Sequence, residues 1–166
     1  ADIIALYGQF QYLTAALILL GTCGFDQAYL REISGSTSQG ALLRRTFLPI
    51  LFAFGLISIF LFSASRFFSK NDFLLTEPVF LALLILNAFF LICQRLGAQK
   101  ARMDRAGGIF FISELTVRIP SLAVILLVIV SVITPSVINL LSAVAIGSLL
   151  SAALIMIYYW DLCRSA

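Results

Sequence analysis

Glu114 and Arg118 stand four residues apart inside FFISELTVRIPSLAVILLVIV, residues 110–130, a run otherwise apolar enough to lie in lipid. An acid followed by a base at this spacing shares one helix face and can pair along it. Pairing lowers the cost of burial but does not make hydrocarbon a good solvent for either charge. An arginine at mid-bilayer costs at least ~2.5–3.5 kcal/mol on insertion scales. The face carrying both charges is therefore expected to turn toward a bundle interior or a watery cavity. Three readings fit: a cationic site in a cavity open to the membrane, an ion pair locking this helix to a neighbour, or a different helix register. Pro120 follows, removes a backbone hydrogen bond and is expected to kink or unwind the helix.

Other polar groups share this predicament. Asn87 and Asn139 lie within apolar runs and need partners, through an interhelical hydrogen bond or a ligand contact. The stretch GFDQAYLRE holds Asp26, Gln27, Arg31 and Glu32. Asp26 and Arg31 are five apart, a poor intrahelical pair. Asp26 is either solvated at a helix end or partnered from another helix.

The elements that must hold these residues follow from composition. Of 166 residues, 61% are hydrophobic and 11% charged, with a mean hydropathy of +1.07. A soluble domain usually carries about a quarter charged residues. Continuous runs rich in Leu, Ile and Phe argue against a membrane β-barrel, which shows short alternating segments. The predicted fold is an all-α polytopic membrane helix bundle in a single membrane domain. Five apolar segments, residues 7–29, 47–67, 73–94, 108–133 and 135–160, are each near the ~20 residues a crossing needs. Thr76-Glu77-Pro78 and Thr134-Pro135 read as helix starts, and Gly107-Gly108 ends the basic loop before the fourth segment. Tyr7, Tyr12, Tyr158, Tyr159 and Trp160 read as interfacial anchors or packing residues. Ala143, Gly147 and Ser151, and Gly21 with Gly24, read as close-packing faces.

Charge placement orients the bundle. Arg31, Arg44, Arg45, Arg95, Lys100, Arg102, Arg105 and Arg164 fall on one side, and Arg66 and Lys70 on the other. The positive-inside rule puts the first group in the cytoplasm. The first helix then runs inward, and the chain, which begins at Ala1 without a signal-peptide pattern, reads as an internal piece of a longer protein. The net charge of +3 sits in short loops, which points to no nucleic-acid partner. Three cysteines without paired spacing, and no histidine, predict no metal, cofactor or disulfide framework. The eight scattered acids argue against an intramembrane enzyme such as a lipid phosphotransferase.

The stretch YGQFQYLTAALILLGTCGFDQAYLREISG resembles the second membrane helix of the polysaccharide flippases of the multidrug/oligosaccharidyl-lipid/polysaccharide exporter superfamily. The family's Gly-aromatic-Asp step, then Ala and Arg, matches Gly24-Phe25-Asp26, Ala28 and Arg31. QRLGAQKARMDRAGGIFFISELTVRIPSLAVILLV is similar to the family's basic fourth-to-fifth loop and fifth helix. The resemblance covers nearly the whole chain and implies most of one six-helix lobe, facing a second lobe supplied by the rest of the chain. It implies translocation of polyprenyl-diphosphate-linked oligosaccharide across the cytoplasmic (inner) membrane, for cell-surface polysaccharide such as the O-antigen of lipopolysaccharide. Arg118 is then expected to hold the diphosphate or its adjoining sugar, with Glu114 orienting it and Asn87 completing the substrate site. Asp26 and Arg31 belong to a cytoplasmic gate. The alternatives are a cation-coupled drug or metabolite antiporter of the same superfamily and a non-transporting membrane scaffold subunit.

Overall fold

A computed structural model describes residues 2–33, 39–65, 77–130 and 136–159. Every element among them is an α-helix: α1 (Asp2–Thr22), α2 (Phe25–Ile33), α3 (Gln39–Ala64), α4 (Pro78–Met103), α5 (Gly107–Ile129) and α6 (Val137–Tyr158). Four are long and apolar enough to cross a membrane, over Ala41–Ala64, Pro78–Met103, Gly107–Ile129 and Val137–Tyr158. The chain is thus an all-α, multi-pass membrane bundle. The first of the five expected crossings, α1, has the length at 21 residues. Tyr7, Gln9, Gln11 and Tyr12 make its first half more polar than the others.

Several boundaries differ from those expected, each for a local reason. The first segment is two helices. Cys23 and Gly24 both take positive φ, 46° and 81°, and this break turns the amphipathic α2 away from α1. Gly24 is therefore a hinge rather than a packing glycine, since nothing lies within 4 Å of where its Cβ would stand. The basic runs expected as loops are helical: Arg44 and Arg45 lie in α3, and Arg95, Lys100 and Arg102 in α4. Lysine and arginine in the last turn suit a helix C-terminus, where carbonyl dipoles favour cations. The helix ends at Asp104 and Arg105, the latter in left-handed conformation (φ 57°). Pro78 opens α4 as expected, whereas α5 runs through Pro120 without unwinding. The expected cap at Thr134-Pro135, and Thr76, Trp160 and Arg164, lie outside the described residues.

The bundle is layered from the middle outward. α4 and α6 bury close to half of their spans, α3 and α5 hardly any. Polar side chains are inside: Thr14, Asn87, Gln94, Gln99, Ser113, Ser148 and Ser151 are all buried. They share the interior with an apolar core that includes Phe10, Ile50, Leu84, Ile92 and Leu141. Other large apolar side chains face outward, among them Leu19, Phe52, Ile59, Phe60, Ile129 and Ile157, as a lipid solvent allows. One end of the bundle gathers α2, the start of α3, the α4–α5 turn and the end of α6. It carries Arg31, Arg44, Arg45, Arg95, Lys100, Arg102 and Arg105. Among the described residues Arg118 is the basic group that stands apart.

Candidate functional site

The α5 seam explains how the charged pair is presented. Ser113, Val117 and Ser121 follow one another at i,i+4 and face α6, and Ser113 and Ser121 are the buried residues of α5. Gly147 is what allows that approach: a Cβ there would stand 2.6 Å from the Val117 carbonyl oxygen. The Ser151 hydroxyl donates to the Ser113 carbonyl at 2.7 Å. Ala143, Gly147 and Ser151 thus form the close-packing face expected of them. With the seam so fixed, Glu114 and Arg118 lie on its flank, turned toward α4 and α1.

There they line a small cavity of about 130 Å³. α1 contributes Tyr7 and Gln11, α4 Leu91 and Gln94, α5 Glu114, Val117, Arg118 and Ser121, and α6 Val144. α1 and α5 form the walls, and the more central α4 and α6 the floor. The expected Glu114–Arg118 pair is not what holds it together. Gln94 Nε2 donates to Glu114 Oε1 at 3.0 Å, and among the described residues Arg118 makes no ion pair. The buried amide of Gln94 faces Glu114 across the α4–α5 interface, so the carboxylate is held without drawing the guanidinium inward. Arg118 is exposed at the cleft. At ~1.5 Å per residue it stands about 17 Å along α5 from Gly107, near the middle of a ~30 Å hydrocarbon core.

The remaining expected site residues fall elsewhere. Asn87 is fully buried and its Nδ2 donates to Thr14 Oγ1 at 3.3 Å. It ties α4 to α1 and does not line the cleft. Asp26 does have a partner on another helix, Arg95, whose Nη2 lies 2.9 Å from its Oδ2. Arg31 is exposed on α2 and makes no ion pair among the described residues, in keeping with the five-residue spacing that makes it a poor intrahelical partner for Asp26. Lys100 bridges to Asp104, Tyr159 donates to Asp104 Oδ2 at 3.1 Å, and Arg102 stacks on Phe110 at 4.3 Å. These contacts fasten the basic end. Asn139 is exposed on α6.

Sequence reasoning missed Gln94, Gln11, Tyr7 and Ser121 as lining residues. Gln94 was visible only as the polar end of an apolar run, and Gln11 as a glutamine within one. Among the described residues no three His, Cys, Asp or Glu side chains stand together to hold a metal. Fold and cleft together describe a multi-pass membrane bundle with a polar recess between its described helices. Comparison with protein-family models, curated proteins and solved structures finds no match to this chain.

Proposed function

We propose that the chain is part of a membrane transporter for an anionic, lipid-linked substrate, a polyprenyl-diphosphate-linked oligosaccharide moved across the cytoplasmic membrane. One observation carries the reading: about halfway along α5, on the wall of a polar recess, an exposed guanidinium makes no ion pair among the described residues. Such a placement costs several kcal/mol unless an anion offsets it, and a guanidinium grips phosphate oxygens through two parallel N–H bonds. Gln94 holds the Glu114 carboxyl group from α4, which leaves Arg118 open to an anion. The recess is the size of a phosphate group, not of a glycan. Tyr7 and Gln11 offer hydrogen bonds to the sugar beyond it, and the rest of the substrate extends along the open side of α1 and α5. The flippase resemblance of the α1–α2 and α4–α5 stretches supports the same assignment.

The test is export of lipid-linked glycan by cells carrying variants of the complete protein at matched levels. Arg118→Ala is expected to lower export at least tenfold, with Arg118→Lys intermediate because it keeps charge but loses the fork. Undiminished export by Arg118→Ala removes the substrate role. A second reading, a cation-coupled antiporter, is favoured by the half-buried Glu114 carboxylate in the same recess. It requires transport to depend on sodium or proton gradients and to lose that dependence in Glu114→Gln.

A further inference from the structure

Near the basic end, α2, α3, α4 and α6 enclose a second and larger cavity of about 470 Å³, within the range of small-ligand pockets. Phe47, Leu48, Leu96, Ile155 and Met156 give it hydrocarbon walls, and Arg44 stands among them as its cation. Folded interiors leave few voids larger than a water molecule, and an apolar cavity does not hold water well. An apolar space of this size beside a bilayer suits an acyl chain better than water. The charge decides which lipid. Arg95 is committed to Asp26 and Lys100 to Asp104. Arg44 is exposed and makes no ion pair among the described residues. Burial, helped by the bond to Asp104, pushes the Tyr159 hydroxyl well above the usual phenol range. A phenol is neutral at physiological pH in any case, so this lining group does not repel a phosphate.

We propose that this groove binds an anionic phospholipid from the leaflet at the basic end, with one acyl chain between α3 and α6 and its phosphate on Arg44. Basic pockets between membrane helices recognise anionic headgroups in this way. The proposal does not depend on the transport reading, because its readout is lipid binding and its residues are not those of the Arg118 recess. The experiment is native mass spectrometry of the complete protein in mild detergent, titrated with dioleoyl phosphatidylglycerol or dioleoyl phosphatidylcholine. Phosphatidylglycerol is expected to bind about fivefold more tightly or better. Arg44→Gln abolishes that preference, Arg44→Lys retains most of it, and Met156→Trp, which fills the groove, weakens both lipids. Equal binding of the two lipids overturns the proposal, as does a preference that survives Arg44→Gln. Failure of either lipid to bind, because another part of the chain or a second copy occupies the groove, overturns it too.

Discussion

Asp26 and Arg95 form one ion pair with very unequal halves. The aspartate side chain is 4% exposed and the arginine 45%. Removing Arg95 strands a carboxylate at the α2–α4 junction, whereas removing Asp26 leaves a guanidinium that can hydrate. Arg95→Gln is expected to cost about 2 kcal/mol of stability, less than the ~3–5 of a fully buried pair because one partner already meets solvent. Asp26→Asn is expected to cost under about 1 kcal/mol. Thermal unfolding in detergent compares them, and equal losses would contradict the asymmetry. That Asp26 is either solvated at a helix end or partnered from another helix was legible, and the structure takes the second. Which cation is that partner was not legible, because Arg95 is 69 positions away in a stretch that reads as a loop. Asn87 shows the same division: its need for a partner is local, and Thr14, 73 positions distant, is not.

Between helices, the α5–α6 contact is where sequence pattern translated most directly into packing. Small residues four apart on α6 let its backbone meet that of α5, and lipid leaves van der Waals contact and hydrogen bonding as the main attractions there. The carbonyl oxygens of Thr116 and Val117 face Gly147 at the turn where Pro120 withholds an N–H. Gly147→Ala must displace backbone, which is expected to cost about 1–3 kcal/mol. Gly55→Ala, with nothing within 4 Å, is expected to be neutral or slightly stabilising through helix propensity. Melting temperatures of the two variants check this, and an unperturbed Gly147→Ala would show that the helices can slide apart freely. Helix ends were less legible. Arg95, Lys100 and Arg102 looked like a loop because charge usually leaves the membrane, yet the backbone stays helical, with Arg95 and Arg102 exposed and Lys100 buried against Asp104.

The bundle as a unit is apolar without, and its basic groups among the described residues, Arg118 apart, lie at one end. With Cys23, Cys93 and Cys163 replaced by Ser, a membrane-impermeant thiol reagent added to intact cells is expected to label Glu77→Cys and to spare Arg31→Cys. The reverse pattern would invert the orientation and put the Arg44 groove in the opposite leaflet. Arg118 keeps its mid-depth position either way, so transport by its variants is informative under both orientations.

Composition and hydropathy alone settled that this is a helical, multi-pass membrane protein, because the cost of exposing backbone and charge to hydrocarbon is a property of each segment taken singly. The same cost marked Glu114 and Arg118 as out of place. What they do there was decided by tertiary structure. Gln94, 20 positions before Glu114, took the carboxylate and left the guanidinium open. The choice between an acid's neighbour on its own helix and a donor on the next depends on how two helices turn about their axes, and that rotation was set by Ser113, Ser121 and Gly147 packing, not by the charges themselves.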